Sequence, residues 1–293
     1  MGLTDKDSVS AKARTSVTNG FAYERWVWMH YAVLMLMCAF LLAPIFIMLQ
    51  TSFKVETQIF SMPPVWFFFP TIQNYTDVLT AERFSRYLVN SLIVGIVSTV
   101  FTLGFGGMAA YAMVRFRFMG KGVVSMTTLL LRMIPPAVLA VPVFVIWSEW
   151  GLLNQRMGLI LVYVAMNLPF TIWILYGFIA QIPSTLEEAA VIDGCNPYQV
   201  FFRVVLPLIR PGLAAAAIFT FRIAWNEFIL ALVLTNRFTR TLPVATSLFL
   251  TDHGIQWGKI MAMGTLIALP PLAFTFIAAK QIITGLTAGA VKG

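Results

Sequence analysis

The chain has 293 residues, 59% of them hydrophobic and only 11% charged, with a mean hydropathy of +0.83. Soluble domains carry about 25% charged residues, so this composition excludes a water-soluble globular protein and predicts an all-α integral membrane protein. The net charge of +8 does not point to nucleic acid, because the lysines and arginines are spread over short loops rather than clustered.

Residues 1–25 are polar, with Lys6, Lys12, Arg14 and Arg25, and lack the hydrophobic core and cleavage pattern of a signal peptide. They are expected to form a cytoplasmic tail. The membrane domain is expected over 26–283. Its first span runs from Trp26 to about Leu49, with Trp26, Trp28 and Tyr31 as an interfacial belt around His30. Residues 51–87 are too irregular to cross and belong outside. The second span, Asn90 to about Tyr111, carries Gly104, Gly106, Gly107, Ala109 and Ala110, small residues that permit close helix contact.

A basic turn, Arg115 to Lys121, leads into a third span, Val123 to Trp147, broken by Pro135-Pro136 and by Pro142. The fourth span covers Gly158 to about Ala180, with Asn167 and Pro169 inside it. A fifth runs from Pro211 to about Leu234, followed by an outer segment to about Gly258. A sixth, Ile260 to about Ile283, contains Pro270-Pro271, and a short tail, 284–293, closes the chain. Cys38 and Cys195 offer no disulfide framework, and no Cys/His spacing suggests a metal.

The longest polar interruption, residues 181–210, carries the clearest local code. Ser184 and Glu187 stand at capping-box spacing, and Gly194 supplies a left-handed stop about two and a half turns later. Asn196 then caps a second helix, with Pro197 at its first position and Gln199 three on. Pro207 and Pro211 are expected to end that helix and open the next span. Small Ala189, Ala190 and Gly194 leave room for a partner, so a docking element is predicted. An amphipathic loop lying on lipid headgroups would show the same caps but has no need of the alanines.

Charge decides the orientation. Six spans put both termini on one side, and the termini, the 115–121 turn and the docking loop hold eleven Lys and Arg against seven opposite. That bias makes the termini and the docking loop cytoplasmic.

Glu188-Ala189-Ala190, Asp193-Gly194 and Leu206-Pro207 resemble the EAA motif of ABC-importer permeases. Further matches to the maltose-type carbohydrate permeases are Trp225-Asn226-Glu227-Phe228, Thr241-Leu242-Pro243-Val244, Arg132-Met133-Ile134-Pro135-Pro136 and the tail from Gly285 to Gly293. The resemblance covers most of residues 85–293. It implies a bacterial inner-membrane permease paired with a second permease subunit and driven by a dimer of cytoplasmic ATPases. It also implies an extracytoplasmic solute-binding protein that delivers a sugar. ATP and Mg would sit on the ATPases, and this chain is expected to bind no cofactor and catalyse nothing. In agreement, the sequence has no phosphate-binding G-x-x-x-x-G-K-[ST] loop. The rival is an ion-coupled secondary transporter, against which stand a lone intramembrane acid, Glu227, and no visible repeat.

Charged groups inside spans cost at least about 2.5 to 3.5 kcal/mol, so each one asks for a cause. Arg132 lies roughly 14 Å along the third span and Arg222 roughly 16 Å along the fifth. Asn167 falls at a similar depth, Asn226 one turn beyond Arg222, and Glu227 beside it. These five are candidates for a substrate path. The competing reading pairs them with one another or with the second permease. Arg222 departs from the apolar residue common at that position, and so points to a cargo with a dense hydroxyl array or an acidic group. None of the 25 Phe or 15 Met is singled out by pattern.

Overall fold

A computed structural model describes the backbone of residues 5–81, 83–251 and 254–290, and the side chains of 26–81, 83–251 and 254–277. Contacts divide the chain into residues 1–51 and 52–293. Helix α1, Asp5–Ser52, accounts for the first. Its helical backbone runs through the expected boundary at residue 25, with no proline before Pro44. Trp26–Ser52 has a mean hydropathy of 2.8, and none of its apolar stretch is buried within the chain.

The second unit opens with short α2, Glu56–Ile59, and α3, Gln73–Thr80. These are pinned by Asn74, whose amide donates to the carbonyls of Ser52 and Lys54 at 2.9 and 2.8 Å. Asp77 pairs with Lys259 at 3.1 Å. Helix α4, Phe84–Arg115, packs most extensively against α7, Arg156–Ala180. In sequence they are separated by α5, Lys121–Arg132, and α6, Pro136–Glu149.

The small-residue reading of α4 holds on one face. A Cβ at Gly106 would meet Thr171 Cγ2 at 2.8 Å, whereas Gly104 faces open space. Thus Gly106, Gly107 and Ala110 are the packing residues, spaced to fall on the buried side.

Docking-loop helices α8, Ser184–Ile192, and α9, Pro197–Val200, lead through a π turn, Phe201–Val205, to α10, Leu206–Leu208. Helix α11, Arg210–Asn226, then packs on α4, α7 and α14, Trp257–Ala290. Thr171 and Thr220 hydroxyls meet at 3.1 Å between α7 and α11, and Trp225 Nε1 donates to the Ile267 carbonyl of α14 at 3.0 Å. Helix α12, Ile229–Leu234, and α13, Leu242–Ala245, precede a two-residue hairpin that the sequence did not announce, Leu250–Thr251 with Gly254–Ile255. The loop before α13 is fastened to α4. Asn90 donates to the carbonyls of Phe238 and Arg240, both at 2.9 Å, and Ser91 Oγ accepts from Leu242 N–H at 2.8 Å.

Four helices among the described residues are long and apolar enough to cross a membrane, and six spans result if each bent pair counts as one. Two spans are interrupted. The third breaks at Pro135-Pro136, as expected: α5 and α6 meet at 101°, because two successive prolines remove two amide donors and hold the preceding backbone extended. Pro142 does not break α6. The fifth does not run unbroken to Leu234, since helical geometry stops at Glu227 and Phe228. The last helix continues to Ala290, beyond the expected tail boundary at 284, and carries Pro270 and Pro271 inside it. Residues 291–293 of that tail lie outside the described residues.

Candidate functional site

The docking loop is built much as its caps suggest, with one exchange of roles. Gly194 has φ +85°, its N–H reaches the Val191 carbonyl, and Cys195 N–H reaches the Ala190 carbonyl, both at 3.0 Å. That bond pair is a Schellman stop. Asn196 and Gln199 cap one another reciprocally, each bond 2.9 Å. The Ser184–Glu187 box does not form. Pro183 takes the N-cap position in extended geometry, Ser184 is already helical, and no side chain caps the helix.

Glu187 turns inward instead. Its carboxylate accepts from Arg115 Nε at 2.7 Å and from the Tyr111 hydroxyl at 3.0 Å. A charge-assisted bond is roughly twice as strong as a neutral one, which explains why the guanidinium wins over the local backbone. The same Arg115 donates through its other arm to the carbonyls of Ile182, at 2.7 Å, and Ile179, at 3.3 Å. Those carbonyls lie in the last turn of α7 and just beyond it, where a cation is favoured by the helix dipole. One guanidinium therefore ties the ends of α4, α7 and α8 together.

This anchoring sorts the motif residues. Ala190 is buried against Leu175, Ile179 and Phe201, so it packs the chain's own core and is not open to a partner as expected. Glu188, Ala189, Asp193 and Gly194 are exposed. Beside them stand apolar side chains that the sequence reading passed over. Ile192 is 85% exposed, Tyr198 73% and Val191 58%. A hollow of about 480 Å³ opens between Phe116, Glu188, Val191 and Ile192.

Leu206 is half-buried and Pro207 exposed. Pro207 does not end the helix. The chain passes it in the first turn of α10, where a missing N–H costs nothing, and breaks at Ile209, with an 81° bend into α11. Pro211 then opens α11 as expected.

The five candidate path residues separate into two groups. Arg222 and Asn226 share an exposed face of α11, and the Asn226 amide donates to the Arg222 carbonyl at 2.9 Å. No side-chain partner of Arg222 exists among the described residues. Arg132 is exposed at the end of α5, its guanidinium 4.6 Å from the centroid of Phe170. Phe170 in turn meets Phe219 edge to face, with centroids 5.6 Å apart. A cavity of about 680 Å³ lies at the α5–α6 bend, lined by Arg132, Pro135, Pro136, Trp147, Pro169 and Ile223.

The other group is Glu227 and Asn167. Glu227 accepts from the Tyr163 hydroxyl at 2.8 Å and from the amides of Leu230 and Ala231 at 2.9 and 3.0 Å. From the position before the N-cap residue Phe228, it thus satisfies two of the orphan amides in the first turn of α12. Asn167 is buried to 1% exposure and donates to the Tyr163 carbonyl at 2.8 Å, outside the cavity lining. Glu227 is thus engaged within the chain, while Asn167 Oδ1 is buried with no hydrogen-bond partner among the described residues. Phe170 and Phe219 stand beside Arg132, and no periodicity among so many phenylalanines marks them.

At the opposite ends of α4 and α7, Arg83, Arg86 and Arg237 crowd one ring, Phe238, at 5.4, 5.4 and 4.8 Å. Among the described residues none of the three has an acidic partner. No cluster of metal-ligating side chains occurs among the described residues.

Residues 102–287 match the family model described as "binding-protein-dependent transport system inner membrane component". The trehalose transport system permease protein SugB of Mycobacterium tuberculosis is 40% identical over 226 residues, covering 76% of this chain and 82% of that protein. The diacetylchitobiose uptake system permease protein DasC of Streptomyces coelicolor is 39% identical, covering 86% and 92%. A trehalose/maltose permease, MalG of Thermococcus litoralis, is 36% identical, covering 88% and 94%. Among solved structures, a chain of a bacterial ABC transporter for the acidic polysaccharide alginate superposes with a TM-score of 0.70. It is 20% identical and covers 96% of this chain and 99% of its own, a likeness of fold alone. The chain belongs to the family of inner membrane components of binding-protein-dependent transport systems.

Proposed function

We propose that the chain is one of two permease subunits of an ATP-driven importer that moves a sugar, polyol or oligosaccharide across a bacterial inner membrane by alternating access. The termini and the 181–210 loop are cytoplasmic. A dimer of ATPases binds ATP and Mg and docks on α8, while an extracytoplasmic binding protein delivers the cargo to the arginine-rich side around Phe238. Supporting the cargo class are the trehalose, chitobiose and maltose permeases that the chain resembles over most of its length.

The observation that carries the coupling assignment is the exposed face of α8. Val191 and Ile192 stand beside Glu188 on a helix locked by a Schellman stop and by the Arg115–Glu187 pair. An exposed apolar pair on so rigid a support suits a surface that must transmit displacement. Closure of the ATPase dimer would push α8, and Arg115 would carry that push to the ends of α4 and α7.

Uptake in proteoliposomes containing the complete complex tests the reading. ATP-dependent uptake that vanadate stops and a protonophore leaves unchanged is expected. Uptake driven by an ion gradient without ATP would favour the secondary-transporter alternative.

A further inference from the structure

The importer reading leaves the charge of the cargo open, and the α11 face bears on it. Two guanidinium groups, those of Arg132 at the end of α5 and Arg222 on α11, are exposed and without an acidic partner among the described residues. The acid nearest in sequence, Glu227, is consumed by Tyr163 and by the α12 amides. Arginine stays charged even where it is desolvated, so neither group can relieve the cost by losing a proton. Arg132 rests on the Phe170 ring, so a neutral cargo would leave Arg222 in particular unanswered.

The geometry between them is continuous. Arg132 lies over Phe170, Phe170 meets Phe219, and Phe219 precedes Arg222 by three residues on α11. Residues three apart are neighbours on a helix surface. The run from one guanidinium to the other is on the order of 15 Å with a helical turn of 5.4 Å at its end. Asn226 follows on the same face, and its Oδ1 is without a partner among the described residues. Aromatic surface with a few placed polar groups is what small-ligand sites consist of. Ring faces suit the C–H sides of pyranose units, the asparagine oxygen accepts from a hydroxyl, and a guanidinium fork pairs with a carboxylate in bidentate fashion.

Resting on the importer reading, we infer that the cargo is an acidic saccharide of a few units, lying across Phe170 and Phe219 with its anionic groups between Arg132 and Arg222. The two arginines set the sign of charge, and the rings and Asn226 hold the sugar framework.

The test is equilibrium binding of radiolabelled digalacturonate to the purified full complex without binding protein, with galactobiose as the neutral probe of equal size. The complex is expected to hold digalacturonate at least tenfold more tightly. Arg222→Ala should erase that preference, and Arg222→Lys, which keeps charge but not the fork, should retain part of it. Arg132→Ala should weaken digalacturonate binding with the complex still assembled by size-exclusion chromatography. Equal or tighter binding of galactobiose, or no binding of either sugar, overturns the inference. So does failure of both Arg222→Ala and Arg222→Gln to assemble, since Arg222 would then answer an acid on a neighbouring subunit. The importer reading fails separately, if uptake proves independent of ATP whichever sugar is bound.

Discussion

Two glutamates adjoin motif residues, one in the docking loop and one in the fifth span, and both turn away from the role their neighbours suggest. Glu187 precedes the motif's Glu188 and pairs with Arg115 inside the chain. Glu227 follows Asn226 and accepts from two amides in the first turn of α12. Each leaves beside it an exposed surface with no carboxylate partner: Val191 and Ile192 in the loop, Arg222 in the span. At the loop the acid makes the support rigid and the unpaired surface is apolar, as a protein interface needs. In the span the acid repairs a helix break and the unpaired surface is cationic, as a small charged ligand needs. Internal pairing defines the scaffold in both regions, and the leftover surface is where we propose that the ATPase and the cargo bind.

Breaking the loop pair should have the largest effect. Arg115→Ala would strand a nearly buried carboxylate, and loss of one member of such a pair costs ~3–5 kcal/mol. With the Arg115 side chain 19% exposed, the lower end of that range is expected, read as a fall in melting temperature together with uncoupled ATP hydrolysis. The swapped pair Arg115→Glu with Glu187→Arg should recover part of the stability. It should not recover all of it, because the Ile182 carbonyl would lose its Arg115 donor.

Breaking the span acid should cost less and tell more. Glu227→Gln keeps one acceptor but loses the charge, a loss of ~1 kcal/mol. Melting should shift while cargo affinity stays at the wild-type value. A change in affinity with unchanged melting would place Glu227 on the substrate path.

Gly194→Val addresses the loop stop. A β-branched residue at φ +85° costs ~1–2 kcal/mol, and the distortion falls next to the exposed face of α8. Loss of ATPase association is expected with membrane insertion intact, as judged by membrane fractionation.

The smallest effect belongs to the outer segment. The Lys259 hydrogen bond, aided by Gln73, holds the Asp77 carboxyl below the usual carboxylate range, while partial burial works against it. A depressed value stabilises the fold above the ordinary carboxylate pKa of about 3.9, and that contribution disappears as pH falls through the folded value. Asp77→Asn should remove this acid-side dependence and change stability at neutral pH by ~0–1 kcal/mol, since both side chains are about a third exposed.

What the sequence disclosed follows from range. Gly194, Asn196 with Gln199, and the Pro135-Pro136 break act through backbone groups within a few residues, so each was readable and each is found. Ser184 failed as a cap because its intended companion, Glu187, is claimed by Arg115, which lies 72 positions away. Glu227 stood out as a lone intramembrane acid because its partners, Tyr163 and the α12 amides, depend on a helix break that apolar composition does not announce. Phe170 and Phe219 acquire meaning only once α5, α7 and α11 bring a guanidinium and two rings together.

The central claim is that the exposed face of α8 is where the ATPase binds. Ile192→Asp tests it most directly, because a side chain 85% exposed contributes little to the fold of this chain. The account predicts a permease that inserts and melts as wild type but no longer co-purifies with its ATPase or drives uptake. Wild-type ATPase stoichiometry with undiminished uptake in that variant would contradict it.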